Sequence, residues 1–335
     1  MKTSITDIRR RTFQTLVLTA LAVASASAIT TAHAQSAYPT KPVTLMVPTA
    51  PGGTTDIAAR MLADPLGKAL GQTVIVENRG GASGGIAAVA VKRAEPDGHT
   101  LLMQYSGYHV ITPAVAKQPI GWEAKDFQAV ANVLNAPQVV VARAGLPIKT
   151  MAELIAYAKA NPGKLTYASS GNGSLQHVTG AMLEQQAGIQ MTHVPYKGTG
   201  PALQDLLGGQ VDVTFGTPPP FMQHIQSGKL RALAVTGKTR LASLPDVPTS
   251  AEAGLPKLDA TSWFAVFAPA ATPKPIVDKL SAEIAKVIAT PAFRQKAAEQ
   301  GASADYMTPQ QLTEFGKAEL VRWTQVVKAS KIEAD

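Results

Sequence analysis

Residues 43–60 read VTLMVPTAPGGTTDIAAR, and the fold prediction starts from this stretch. Val43–Val47 is a short apolar run that predicts a buried strand, and Asp56–Leu70 has the apolar spacing of a helix. Pro65 is expected to kink or split that helix, because proline lacks the backbone N–H that a helix uses. Strand and helix are joined by a turn rich in proline, glycine and threonine.

Strands and helices continue to alternate along the chain. Strands are predicted at Thr73–Glu77, Leu101–Tyr105, Leu165–Ala168, Met191–Val194, Val211–Phe215 and Leu230–Val235, and helices at Ile86–Arg93, after Thr150, at Ser174–Gln186, near Pro201, and after Thr272 and Thr308. This order predicts an α/β protein whose parallel strands are joined by right-handed crossovers. The extended segments Gln138–Ala142 and Ser262–Ala268 would connect two such units. We therefore predict one lobe from residues 35–138 with 266–335, a second from 139–265, and two crossings between them.

Residues 1–34 have the three parts of a secretory signal peptide. A basic start is followed by an apolar stretch, Leu16 to Ala28, and by the small-residue sequence Ala32-His33-Ala34. The apolar stretch is shorter than the roughly 20 residues of a membrane-spanning helix. We predict cleavage before Gln35 and export to the periplasm. Arg10-Arg11 also resembles a twin-arginine signal, so the export route is left open.

The composition excludes several classes of protein. The chain has 335 residues, 45% of them hydrophobic, and no cysteine, so its stability must come from core packing without disulfides. Thiolate catalysis and cysteine-based metal sites are excluded for the same reason. Signal cleavage would remove four basic residues and Asp7, which lowers the formal net charge from +8 to +5. No Lys/Arg block with interleaved aromatic residues occurs, so no nucleic acid partner is predicted.

Three loops rich in Gly, Ser and Thr follow predicted strands and precede predicted helices. They are residues 48–56 (PTAPGGTTD), 78–85 (NRGGASGG) and 169–174 (SSGNGS). Backbone N–H groups at a helix N-terminus can bind an anion without a charged side chain. Ligands of open α/β sheets lie beyond the carboxyl ends of the strands. The loops are therefore expected to converge on a cleft between the lobes, with Asp56 capping the first helix.

Enzymatic alternatives rest on weaker patterns. Residues 81–85 match the nucleophile-elbow motif G-x-S-x-G, which would make Ser83 a hydrolase nucleophile, but the predicted strand ends several residues earlier. The sequence contains no GxxxxGK[ST] and no HExxH motif, and His99, His109, His177, His193 and His224 are scattered singly. We predict no enzyme activity, no cofactor and no metal. His177 could face the cleft or be a structural hydrogen-bonding residue, and Tyr196, which follows a predicted strand, could also face the cleft.

Five segments resemble the Bug family, the solute receptors of tripartite tricarboxylate transporters in proteobacteria. They are residues 40–60, 77–102 (ENRGGASGGIAAVAVKRAEPDGHTLL), 153–180, 193–215 (HVPYKGTGPALQDLLGGQVDVTF) and 228–254. The resemblance covers essentially the whole chain after the signal peptide. It implies a type II periplasmic binding fold, in which each lobe is a mostly parallel sheet flanked by helices. It also implies a monomer that serves an inner-membrane transporter with one large and one small membrane subunit.

The resemblance also implies which residues bind the ligand. In the family, backbone groups and ordered waters of the first two loops hold the carboxylate, which here corresponds to Gly52, Gly53, Thr54, Asp56, Gly81, Ala82 and Ser83. The second lobe would contribute Ser169, Gly173, Ser174, His177, Tyr196 and Thr217. One departure is the exit of the third strand, where Tyr105 and Tyr108 replace the small residues more usual in relatives. These tyrosines could suit an aromatic ligand or pack within the lobe.

The function predicted from the sequence is therefore capture of a small organic carboxylate by closure of the cleft. Di- and tricarboxylates and aromatic acids fit the prediction equally, because backbone donors recognise the carboxylate that all of them share. A ligand-binding sensory protein that signals to a membrane kinase is the alternative that the sequence does not separate from a transport receptor.

Overall fold

Two separate sheets carry the strands of the protein. The computed structural model describes residues 38–117 and 119–330, so the predicted signal peptide lies outside the described residues. The strands are β1 (Val43–Val47), β2 (Val74–Asn78), β3 (Thr100–Tyr105), β4 (Phe127–Pro137), β5 (Val139–Arg143), β6 (Thr166–Ser169), β7 (Thr192–Pro195), β8 (Val213–Gly216), β9 (Leu230–Val235), β10 (Thr261–Pro269) and β11 (Ser303–Ala304). Most strands that the sequence predicts are observed, with ends shifted by one or two residues.

Helices lie between most of these strands. They are α1 (Thr54–Leu70), α2 (Gly85–Lys92), α3 (Thr112–Val115), α4 (Met151–Ala160), α5 (Leu175–Ala187), α6 (Thr199–Leu207), α7 (Met222–Gln226), α8 (Lys274–Ala289), α9 (Pro291–Glu299) and α10 (Pro309–Ser330). The expected break at Pro65 is not observed as a split, because α1 continues as one helix through that residue. No helix within residues 38–117 and 119–330 combines the length and the apolar character needed to span a membrane.

The six-stranded sheet has the order β11-β4-β10-β3-β1-β2. β1 is parallel to both β2 and β3, with Leu45 opposite Val76 on one side and Leu101 on the other. β10 lies between β3 and β4 and is antiparallel to both. We call this sheet and the helices packed on it lobe 1. The long helix α10 returns to it and packs on β4.

The five-stranded sheet has the order β7-β6-β8-β5-β9 and, with its helices, forms lobe 2. β6 is parallel to β7 and β8, whereas β5 is antiparallel to β8 and β9. Both sheets are thus mixed, and the expectation of mostly parallel sheets is wrong in this detail. The α/β class and the two-lobed fold are confirmed.

The antiparallel pairs arise where the chain passes between lobes. Only Gln138 separates β4 of lobe 1 from β5 of lobe 2, and β10 brings the chain back. At the crossing, the Gln138 N–H donates to the Ala260 carbonyl and the Thr236 N–H donates to the Gln138 carbonyl. The two connections are therefore hydrogen-bonded to each other where they pass between the sheets.

The core of lobe 2 explains the uninterrupted apolar run in β5. Val140 and Ala142 pack into a cluster on one face of the sheet, and Val139 and Val141 into a cluster on the other. Successive strand residues point to opposite faces, so a strand covered on both sides must be apolar throughout. Complete burial of each valine contributes roughly 1.5–3 kcal/mol to stability.

Candidate functional site

Loops at the carboxyl ends of strands in both sheets meet in a cleft between the lobes. The Thr54 and Thr217 hydroxyls are 2.6 Å apart, and the Ala50 N–H donates to the Lys197 carbonyl at 3.1 Å. The Ser83 hydroxyl donates to the Asn172 carbonyl at 2.8 Å. These bonds join loops of lobe 1 directly to loops of lobe 2, so the structure shows the lobes closed on each other.

The first loop, between β1 and α1, is held in shape by Asp56. The Asp56 carboxylate accepts from the Gly52 N–H, from Arg60 Nε and from Asn78 Nδ2, each at 3.0 Å. Asp56 is 4% exposed, and all three partners belong to lobe 1. Gly53, not Asp56, occupies the N-cap of α1, so the predicted capping role of Asp56 is wrong. Its carboxylate neutralises Arg60 and orders the turn that precedes the helix.

The second loop, between β2 and α2, has an unusual backbone. Gly81, Ala82, Ser83 and Gly84 have φ angles of 127°, 46°, 45° and 83°. Positive φ is costly for residues other than glycine, and such residues often occur at functional sites. The conformation aims Ser83 at the Asn172 carbonyl in lobe 2. Ser83 lies five residues beyond the end of β2, which is not the tight strand-to-helix turn of a nucleophile elbow.

The third loop, between β6 and α5, is supported by histidines. Ser174 is the N-cap of α5 and accepts from the His177 N–H, while His177 Nδ1 accepts from the Gly173 N–H. The His177 and His193 rings stack with their centroids 4.0 Å apart, and His193 Nε2 is 2.6 Å from Ser169 Oγ. Burial lowers the pKa of His193 to about 3, and His177 acts in the same direction. Neutral His193 therefore stabilises this loop through its contacts with Ser169 and His177.

The loops surround an inner cavity of about 20 Å³. Its wall is formed by Thr49, Gly53, Thr54, Thr55, Tyr105, Gln138, Ser170, Gln176, Thr199, Thr217, Ser262 and Phe264. Among the described residues, this wall carries no charged side chain. A positive potential for an anion must therefore come from backbone N–H groups, such as those at the N-terminus of the 17-residue helix α1, whose first residues line the cavity.

Two polar atoms on residues of the cavity wall have no hydrogen-bond partner among the residues that the structure describes. Gln138 is 1% exposed, and its Nε2 donates to Ser262 Oγ at 2.9 Å, but its Oε1 has no partner. Thr49 Oγ1 is in the same situation at 4% exposure. Buried polar atoms are costly when unpaired, and such atoms in a native protein are often completed by a bound molecule.

An outer groove of about 550 Å³ is bordered by the Ser83–Asn172 contact. Ala82, Ser83, Thr112, Ala116, Lys117, Pro119, Ile120, Asn172, Pro195, Tyr196 and Lys197 line it. The Tyr196 hydroxyl donates to Asp205 at 2.6 Å. Burial and the Asp205 carboxylate raise the pKa of Tyr196 to about 12.

The chain is similar to known proteins over most of its length. The family described as "Tripartite tricarboxylate transporter family receptor" (TctC) matches residues 58–332. The chain belongs to this family. Protein BugT of Bordetella pertussis is 38% identical over 292 residues, which are 87% of this chain and 90% of BugT.

Solved structures of similar proteins share the receptor fold. The periplasmic binding protein BugD has a TM-score of 0.85 and 37% identity, over 89% of this chain and 100% of BugD. The Rhodopseudomonas palustris protein Rpa4515, solved with adipate, has a TM-score of 0.86 and 35% identity over the same shares. The resemblance to the Bug family is confirmed, and both family and fold are those of substrate-binding receptors.

The predicted site residues of this family member divide into three groups. Gly53, Thr54 and Thr217 line the inner cavity, and Ala82, Ser83 and Tyr196 line the outer groove. The remaining residues shape the loops from within each lobe: Gly52, Asp56, Gly81, Ser169, Gly173, Ser174 and His177. Contact of any of them with a ligand stays a prediction.

Several wall residues of the receptor's cavity were missed by the sequence argument. Ser170 faces the cavity although Ser169 was the residue predicted, because adjacent residues at a strand end point in opposite directions. Gln138 and Ser262 belong to segments recognised as crossings but not as ligand-facing. Gln176 on α5 donates from Nε2 to the Thr199 hydroxyl at 2.9 Å, and no motif marked it.

Proposed function

We propose that this protein is an exported receptor that captures a small organic carboxylate between its lobes and delivers it to a tripartite tricarboxylate transporter. The observation that carries the proposal is the inner cavity, which has polar uncharged walls from both lobes and lies at the N-terminus of α1. The Rhodopseudomonas palustris protein solved with adipate supports a carboxylate as the ligand class. Di- and tricarboxylates and aromatic acids are the classes to test.

The mechanism is binding by closure. The inner cavity has a volume of about 20 Å³. Since one water molecule needs at least roughly 10–15 Å³, the cavity has room for about one water and not for an organic acid. A carboxylate therefore requires the lobes to separate, and the hinge is the crossing at Gln138 and Thr236. The moving bodies are lobe 1 and lobe 2, and the boundary predicted at residue 266 shifts to 261, because the whole of β10 pairs with β4 in the sheet of lobe 1. On closure, four or five charge-assisted hydrogen bonds of roughly 1.5–3 kcal/mol each are sufficient for micromolar affinity.

The proposal includes a location and partners. Cleavage before Gln35 releases the receptor into the periplasm as a monomer. It then docks on an inner-membrane transporter composed of one large and one small subunit. Residues 1–34 and membership in the TctC family support this assignment.

A thermal-shift screen of carboxylates tests the proposal. A ligand present at 100 times its Kd stabilises the folded state by about 2.7 kcal/mol, which is measurable as a higher Tm. Gly53→Val is expected to abolish the shift. The Cβ atom at Gly53 would lie 3.5 Å from Thr199 Cβ, so the further methyl groups of valine would fill the space between α1 and α6.

Gly316→Val is the matched control, since a Cβ atom there meets nothing within 4 Å and the residue lies in α10. It should retain the full ligand-induced shift. Unchanged affinity in Gly53→Val would show that the loop is wrongly assigned. Absence of a shift with every carboxylate tested on the unmodified protein would reject the proposed function.

A further inference from the structure

Tyr105, the last residue of β3 in lobe 1, reaches across the cleft into lobe 2. Its ring is stacked 6.1 Å from Phe264 and lies edge-on to Tyr108 at 4.6 Å. Its hydroxyl is 3.2 Å from Ser170 Oγ. The Ser174 side chain and the Leu175 backbone N–H also face this hydroxyl.

These partners form the N-terminal end of α5. The helix has 13 residues, and Ser174 is its N-cap. The first backbone N–H groups of a helix have no carbonyl partner within the helix and favour negative charge. In the closed structure, the Tyr105 hydroxyl takes the position next to Leu175 N–H that an anionic oxygen would otherwise take.

The hydroxyl is a neutral occupant of this position. Burial raises the pKa of Tyr105 well above its usual value, and the neighbouring Tyr108 acts in the same direction. The Ser170, Leu175 and Ser174 groups lower it to a smaller extent. Tyr105 therefore remains protonated at neutral pH.

A second, independent observation concerns the ligand itself. Gln138 and Thr49 belong to the cavity wall and are 1% and 4% exposed. Within the described part of the chain, Gln138 Oε1 and Thr49 Oγ1 have no hydrogen-bond partner. The wall contains no charged side chain among the described residues that could offset additional negative charges. A ligand body with a neutral hydrogen-bonding group satisfies these atoms, whereas a second carboxylate would be buried without a cation.

We propose that Tyr105 competes with a second ligand carboxylate for the N-terminus of α5. The receptor consequently prefers a ligand with one carboxylate and a neutral hydrogen-bonding group over the corresponding dicarboxylate. This inference rests on the proposed carboxylate-binding function and specifies its substrate class.

Matched ligand pairs test the inference by isothermal titration calorimetry. Succinate and succinamate, and adipate and adipamate, have equal chain lengths and differ by replacement of one carboxylate with an amide. The unmodified protein should bind the monoamide of the preferred length at least about tenfold more tightly than the diacid, since one charge-assisted interaction is at stake.

Variants identify Tyr105 as the cause. Tyr105→Phe removes the hydroxyl and keeps the ring, so the preference for the monoamide over the diacid should become smaller. Tyr105→Ala also removes the ring and makes room for a second carboxylate, so this preference should become smaller still or reverse. Tyr108→Phe is the control, because the Tyr108 hydroxyl donates to the Ser170 carbonyl at 2.5 Å and does not occupy the helix donors. The ratio of the two affinities should not change in this variant.

Each outcome decides the inference. A diacid that binds the unmodified protein as tightly as its monoamide would overturn it, and so would a ratio that is unchanged in Tyr105→Phe and Tyr105→Ala. Circular dichroism checks folding, and Tyr105→Phe decides alone if Tyr105→Ala is unfolded. If neither pair binds although another carboxylate raises the Tm in the thermal-shift screen, this inference alone fails; if no carboxylate in that screen raises the Tm, the proposed function fails as well.

Discussion

His109 illustrates how burial changes the chemistry of a single residue. It is 7% exposed and stacks on Phe267 at 4.3 Å, with Trp263 and Trp122 also beside it. Burial lowers the pKa of His109 from 6.5 to about 4. The neutral ring is favoured in the folded state, so its contribution to stability is complete above pH 6.5 and is lost as the pH falls towards 4.

Replacement by phenylalanine tests this coupling. When the pH is lowered from 7 to 4.5, protonation of His109 in the unfolded state should reduce the unfolding free energy of the unmodified protein by about 2 kcal/mol. His109→Phe keeps a flat ring against Phe267 and should reduce the acid-induced loss of stability by about that amount. Urea denaturation at both pH values measures the difference, with His224→Gln at a half-exposed position as the control. An equal acid-induced loss in His109→Phe and unmodified protein would contradict the assignment.

At the scale of single elements, the loop before α2 adopts a strained backbone conformation that places Ser83 at the cleft. Ala82 and Ser83 are held at positive φ, which L-residues disfavour by roughly 1–2 kcal/mol. In exchange, Ser83 bonds to the Asn172 carbonyl and closes the rim between the lobes. The strain is thus located where lobe 1 meets lobe 2.

Glycine substitution measures this strain. Ala82→Gly should raise the unfolding free energy by about 0.5–1 kcal/mol, since glycine adopts positive φ freely but loses more entropy on folding. Ala90→Gly, within the regular helix α2, should instead lower it by about 1 kcal/mol. Chemical denaturation of both variants gives the comparison. A decrease of similar size in both would show that the Ala82 backbone is unstrained.

At the scale of the whole molecule, closure depends on a close backbone approach between the lobes. Gly200 in α6 lies against the first loop, and a Cβ atom there would overlap the Pro51 carbonyl oxygen. Gly198 of lobe 2 is similarly placed, with an ideal Cβ 3.2 Å from the Ala50 nitrogen of lobe 1. These glycines are required because the main chains of lobe 1 and lobe 2 approach each other closely at this part of the cleft.

Gly200→Ala should hold the lobes apart without unfolding either of them. Alanine favours the helix in which Gly200 lies, so the steric conflict acts only on the closed arrangement. We expect a larger radius of gyration in small-angle X-ray scattering and ligand affinity weakened by at least about tenfold. Gly316→Ala should behave as the unmodified protein, because nothing lies within 4 Å of its Cβ position. Identical scattering from all three proteins would argue against the proposed closure.

The sequence by itself determined most of the elements, their order and the three loops at strand ends, although β4 and β11 were not predicted. These features depend on local periodicity and turn chemistry, as in β1, β5 and the Ser174 cap, and they also carry the family resemblance. The tertiary structure alone decided which side of each loop faces the cleft. Ser170 rather than Ser169 lines the cavity, the Asp56 carboxylate binds partners within lobe 1, and Tyr105 contacts the N-terminal end of α5. These arrangements depend on contacts between residues that are far apart in the chain. No local pattern specifies such contacts, since they exist only once the two lobes are brought together.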